Sequence, residues 1–143
     1  MPGRTLCLDY GEKRIGVAVS DETGTIAQPL TVIFRKNRRH DLAALSELAA
    51  RYRPERIVIG YPVRLDGTEG IQCEKVNRFA ALLSAHLQVS IELWDESLTT
   101  REAEEILRRS GLKREKRKDS VDKIAASIIL QNYLNALSSG RTA

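Results

Sequence analysis

Leu6 and Leu8 alternate with Thr5, Cys7 and Asp9, and Ile15, Val17 and Val19 alternate with Gly16, Ala18 and Ser20. A period of two marks strands, and Gly11-Glu12-Lys13-Arg14 between them marks a hairpin. The second strand's other face carries only small residues, so another element can pack closely on it. Thr25 to Arg35 (TIAQPLTVIFR) reads as a third strand, which Pro29 assigns to an edge or a bulge. Asp41 is placed to cap a helix carrying Leu42, Leu45, Leu48, Ala49 and Tyr52 at helical spacing, with Pro54 as its stop. Arg56-Ile57-Val58-Ile59-Gly60 is a continuous apolar run of the kind found in buried parallel strands.

Tyr61 to Gly70 (YPVRLDGTEG) is a loop of turn residues, and Val76, Phe79, Ala80, Leu83 and Leu87 mark a second helix. Val89, Ile91 and Leu93 mark a fifth strand running into Trp94, Asp95 and Glu96. Thr99 and Glu102 form a capping box that opens a third helix, closed by Gly111. A last helix carries Val121, Ile124, Ala125, Ile128 and Ile129. The order βββαβαβαα predicts an α/β fold, a mixed five-stranded sheet with helices on both faces. The spacing predicts one domain over residues 1–138 and a frayed tail over 139–143.

A chain of 143 residues fits one hydrophobic core. Its 42% hydrophobic and 29% charged residues are ordinary for a globular protein. No apolar run approaches the roughly 18 residues of a membrane span, and Met1-Pro2-Gly3-Arg4 leads straight into a strand, so a cytoplasmic location is expected. Cys7 and Cys73 form no C-x-x-C pair, so they read as small residues of the fold. The net charge of +4 tilts the expectation toward a nucleic-acid partner.

Ligands of parallel α/β sheets sit beyond the carboxyl ends of the strands. Asp9 closes the first strand and Glu96 follows the fifth. Asp122 lies beside Ala125, Ala126 and Ile129, on a helix face that otherwise reads as buried. The three meet at one sheet edge if the last helix packs across it. Gathered carboxylates repel unless a cation neutralises them, and hard oxygen ligands suit Mg2+ or Mn2+. A pair of such ions activates water and stabilises a leaving oxygen in phosphodiester cleavage. The plain alternative gives Asp9 to a turn, Glu96 to a surface arginine and Asp122 to the helix dipole.

Four segments in order, LDYGEKRIGVAVSD, GYPVRLDGTEG, WDESLTTREAE and SVDKIAASIILQNYL, resemble the YqgF (RuvX) family over nearly the whole chain. The resemblance implies a ribonuclease H-like fold, a catalytic and metal-binding set of Asp9, Glu96 and Asp122, and a two-metal Mg2+ or Mn2+ site. It implies a metal-dependent endonuclease maturing the 5′ end of pre-16S ribosomal RNA, in a pre-ribosomal particle. Holliday-junction resolution is the family's other description. The chain departs from the family pattern at Tyr61, where leucine is usual, and at Ser97, where arginine is usual; the second removes a phosphate contact.

Lys13 and Arg14 sit in the hairpin turn beside Asp9, where they can hold a phosphate or simply be solvated. Arg64 and Arg101 are similar candidates. The run Lys113-Arg114-Glu115-Lys116-Arg117-Lys118 reads as a flexible phosphate-gripping segment, with Arg114, Lys116, Arg117 and Lys118 as contacts, or as a solvated charge run. Trp94 reads as a packed aromatic, and His40 and His86 as ordinary. The alternatives to an RNA endonuclease are a four-way DNA junction resolvase, which needs a homodimer for its two cuts, and a non-catalytic RNA-binding module. An ATP-binding domain of the actin type would need a second such domain.

Overall fold

The computed structural model describes residues 3–63, 67–95, 109 and 114–138, with 114–120 as backbone. The strands are β1 (Thr5–Tyr10), β2 (Arg14–Ser20), β3 (Ala27–Phe34), β4 (Arg56–Tyr61) and β5 (Ser90–Asp95). The helices are α1 (Arg38–Tyr52), α2 (Ile71–His86) and α3 (Arg114–Ser138). The expected helix opening at Thr99 and the expected frayed tail lie outside the described residues.

The sheet runs β3-β2-β1-β4-β5, with β1 antiparallel to β2, β2 antiparallel to β3, and both β1–β4 and β4–β5 parallel. Period-two alternation divides the core between its faces. Leu6, Leu8, Ile15, Val17, Ile57 and Ile59 face α1 and α2, where Leu45, Val76, Phe79 and Leu83 cover them. Leu6 and Leu8 are fully buried, each contributing about 2 kcal/mol of apolar burial. Cys7, Ala18 and Val58 face the other way and are covered by Ala126, Ile129, Leu130, Tyr133 and Leu134 of α3. The α3 stripe has the i, i+3, i+4, i+7 spacing of an amphipathic helix. It lies further round the helix than the expected set: Val121, Ile124 and Ile128 are only partly buried. Small residues on β1 and β2 let α3 settle on its Ala125–Ala126 side.

Three local outcomes refine the sequence pattern. Asn37, not Asp41, caps α1: its Oδ1 accepts from the His40 amide at 2.8 Å. Asp41 is instead buried in the first turn. Pro29 lies on edge strand β3, beside a register shift at Val17/Ala18, so both expectations for it hold. The basic run expected to be flexible is helical from Arg114 onward.

Polar ties fix the docking of α3. Gln131 Oε1 accepts from the Ala27 amide at 2.9 Å and its Nε2 donates to the Thr25 carbonyl at 3.0 Å. The Tyr133 hydroxyl donates to Glu92 at 2.6 Å and accepts from Arg56 at 2.9 Å, while its ring meets Trp94 edge-on at 5.3 Å. Trp94 is thus packed, as its sequence context predicts. Cys7 and Cys73 are both buried and neither is in a disulfide.

Candidate active site at the carboxyl end of the sheet

The register of the β1–β2 hairpin pairs Asp9 with Gly16. Strand alternation puts both residues on the face that Cys7 and Ala18 present to α3. Gly16 has no side chain, and the space a Cβ would need is taken. An ideal Cβ there would lie 2.0 Å from the Asp122 carbonyl oxygen. The helix backbone at Asp122 therefore rests directly on β2, next to the strand position facing Asp9. A local sequence choice, glycine opposite aspartate, makes the long-range meeting of the two carboxylate-bearing segments.

The hairpin turn closes with the Gly11 amide donating to the Arg14 carbonyl at 2.9 Å. Arg14 Nε then donates to Asp122 Oδ2 at 2.7 Å. Both side chains are about a quarter exposed, 26% for Arg14 and 23% for Asp122. A charge-assisted bond of this length across 108 residues of chain ties the hairpin to α3. Gly11, Glu12, Lys13, Arg14 and Asp122 line a cleft of about 230 Å³. Lys13 is exposed at its mouth.

Arg35, to which the sequence reading assigns no role, braces this turn from β3's end. Its amide donates to the Lys13 carbonyl at 2.9 Å, and its Nη1 donates to the carbonyls of Gly11 at 2.9 Å and Glu12 at 3.1 Å. Its guanidinium lies 4.5 Å from the Tyr10 ring centroid, and that ring stacks on Phe79 at 4.2 Å. Its Nε reaches Asp41 at 3.3 Å. Burial pushes the Asp41 carboxyl up, but hydrogen bonds from His40, the Lys36 amide and Arg35 outweigh it and leave it below the usual range. Burial also raises the Tyr10 phenol, with Arg35 opposing and Asp41 adding to the effect. The signal in the sequence is Arg35-Lys36-Asn37-Arg38-Arg39-His40, with four Lys and Arg in six residues against five in the run at 113–118.

On the opposite sheet face, the Tyr61 hydroxyl donates to Glu69 and accepts from Asn77 at 3.0 Å. The Glu69 bond pushes the phenol up to about 12. This buckle ties the loop after β4 to α2, and it uses the tyrosine that departs from the family pattern.

Of the expected site residues, Asp9, Asp122, Lys13 and Arg14 come together at one edge. Glu96, Arg64, Arg101 and Ser97 lie outside the described residues, although β5 is described up to Asp95. Arg114, Lys116, Arg117 and Lys118 occupy the first turns of α3, eight to four residues before Asp122, with side chains outside the described set. Among the described residues no three His, Cys, Asp or Glu side chains cluster as a metal site. The donors that are described fit a hard divalent cation: two carboxylates from adjacent elements, one already bonded to a cationic side chain.

Residues 3–136 match the RuvX Holliday junction resolvase family. A protein of Syntrophus aciditrophicus is 60% identical over 135 residues, spanning 94% of this chain and 90% of that one. One of Halothermothrix orenii is 46% identical over 132 residues, spanning 92% and 94%. Both carry the name of a pre-16S rRNA nuclease. Among solved structures, Thermus thermophilus RuvC in complex with a Holliday junction superposes with a TM-score of 0.62 at 17% identity, over 97% of each chain. The fowlpox virus resolvase bound to junction DNA gives 0.56 at 12% identity, over 94% and 98%. At these identities the structural likeness speaks to the fold, which is that of the ribonuclease H-like resolvases.

Proposed function

The chain belongs to the RuvX family, and from that premise we propose that it is a metal-dependent endonuclease whose substrate is the precursor of 16S ribosomal RNA. The observation that carries the proposal is the seating of α3 on Gly16. It draws the segment bearing Asp122 against the strand pair bearing Asp9, beside a cleft that opens to Lys13.

Asp9 and Asp122, with Glu96, would hold two Mg2+ or Mn2+ ions, which when bound supply water activation and charge neutralisation at the phosphorus. Lys13 attracts and positions the phosphate as a mobile point charge. Arg14 holds the Asp122 carboxylate in place through its 2.7 Å bond and lends the cleft positive charge. Arg35 keeps the hairpin carbonyls pointing away from the incoming phosphate by bonding them from behind. Arg64, Arg101 and the cations at the start of α3 would grip flanking phosphates.

No helix among the described residues is long and apolar enough to cross a membrane. A cytoplasmic enzyme fits a substrate made there. A monomer suffices for a single cut in RNA.

The test is cleavage by the wild type and Asp9→Asn of a labelled pre-16S RNA fragment and a four-way DNA junction, with Mg2+, Mn2+ or chelator. RNA cutting that needs metal and vanishes in a folded Asp9→Asn protein is the expected result. Cutting of the junction alone would assign the resolvase activity and call for a dimer. Undiminished cutting by Asp9→Asn would refute the site.

A further inference from the structure

The run from Phe34 to Arg39 forms a surface that the carboxylate site does not use. Phe34 ends edge strand β3, is 54% exposed, and is the register partner of Arg14. The two therefore stand side by side on one sheet face, so an uncovered aromatic ring flanks the arginine that holds Asp122. A single exposed ring is ordinary on a protein surface; what sets this one apart is the row of cations, unpaired among the described residues, that follows it.

Beyond Phe34 the chain turns around the sheet edge into α1. Lys36, Arg38 and Arg39 are exposed there and make no ion pair among the described residues. Arg35 and His40, between and beside them, are engaged by Asp41. That pairing anchors the segment and leaves its outward cations unneutralised. They also stand at the positive end of the α1 dipole. Arg38 and Arg39 then line a broad depression of about 930 Å³ with Asn37, Leu42, Ala43 and His86. Arg35 ties all of this to the cleft through the carbonyls of Gly11, Glu12 and Lys13.

We propose that Phe34, Lys36, Arg38 and Arg39 form a docking strip for a single nucleic-acid strand leaving the cleft. One unpaired base stacks on Phe34, and the next phosphates contact Lys36, Arg38 and Arg39. Charge complementarity and the aromatic-beside-cation pattern are those of single-strand binding surfaces. The strip rests on the nuclease reading of the adjacent cleft and adds a substrate requirement to it: an unpaired flank beside the scissile bond.

The experiment is fluorescence anisotropy with the Asp9→Asn protein as non-cleaving parent. Its probes are an RNA hairpin with a ten-nucleotide single-stranded flank and the same hairpin without it. Lys36→Gln/Arg38→Gln/Arg39→Gln in that background is expected to make the slope of log affinity against log salt shallower by about 2 for the flanked probe. The accompanying loss at 0.1 M salt is tenfold or more. The blunt hairpin is expected to show neither effect. Phe34→Ala is expected to weaken the flanked probe about fivefold or more with the slope unchanged, and Phe34→Tyr to restore it. Arg51→Gln/Arg53→Gln/Arg78→Gln, two at the other end of α1 and one on α2, is the charge-matched control. A slope that the triple variant changes no more than this control does, or equal losses on both probes, would overturn the strip alone, since the parent still binds RNA and the nuclease reading is decided separately by metal-dependent cutting in the wild type. Failure of the parent to bind either RNA would bring down both.

Discussion

Adding one methyl group at Gly16 tests how the site is assembled. The Cβ of Gly16→Ala would lie 2.0 Å from the Asp122 carbonyl oxygen, 2.3 Å from its carbonyl carbon and 2.9 Å from the Lys123 nitrogen. All three are backbone atoms, so no side chain can swing aside. Carbon–oxygen contacts settle near about 3.3–3.6 Å, so α3 must retreat by roughly 1 Å. Overpacking costs about 1–3 kcal/mol, and a rigid helix backbone as the obstacle puts this case toward the upper end. A misplacement of about 1 Å in a catalytic group costs on the order of 100-fold in rate. We expect urea unfolding to register about 2–3 kcal/mol of lost stability. Cleavage of a labelled RNA should show kcat down by about 100-fold, with KM little changed because Lys13 stays on its hairpin. Ala18→Gly, on the same strand and face, also destabilises but lets α3 stay seated, so it should cut RNA at near the wild-type rate where it is folded. Gly16→Ala with wild-type stability and wild-type kcat would refute the claim that helix contact at this glycine builds the site.

Arg14→Gln leaves Asp122 without its charged partner; with both side chains about a quarter exposed, a stability loss of about 1 kcal/mol is expected. A chemical denaturation curve superimposable on wild type would show the ion pair to be idle. Arg35→Gln removes the donor to the Gly11 and Glu12 carbonyls, so amide exchange over residues 11–14 should accelerate while Leu6 and Leu8 remain protected; unchanged exchange would deny Arg35 its bracing role. The Asp41 carboxyl sits below its ordinary 3.8 in the folded chain. Its contribution is therefore present above that value and lost as pH falls through the lower folded one. Melting temperature against pH should drop less steeply below about pH 4 in Asp41→Asn than in wild type, and parallel curves would contradict the assignment.

Much of the sheet could be read from alternation alone, because its two faces are buried by different partners. Leu6, Leu8, Ile15 and Val17 are large where two helices cover them, and Gly16 and Ala18 are small where one helix presses close. The small face predicted close packing, and Asp122 beside Ala125, Ala126 and Ile129 predicted which helix would do it. The α1 cap was not legible in this way: Asn37 and Asp41 are both good capping residues, and only the tertiary bonds of Asp41 to Arg35 and Lys36 decide between them. Arg35 and the Phe34 strip were missed for a related reason. A basic run reads as solvent-facing until the fold shows which cations are spoken for, and here Asp41 claims Arg35 and His40 while their neighbours stay open. Glu96 rests on the family resemblance, since its position just past β5 distinguishes it little from Asp95.

The pair Arg14–Asp122 spans 108 residues of chain, and this separation has a consequence in time. A ribosome adding about 5–20 residues per second releases Asp122 roughly 5–20 s after Arg14. Through that interval the sheet can form and its first face can close over α1 and α2, while the second face waits for α3. The nascent protein is thus a scaffold with one face closed. Docking of α3 comes last, in one step that both seals the remaining core and brings Asp122 to the hairpin.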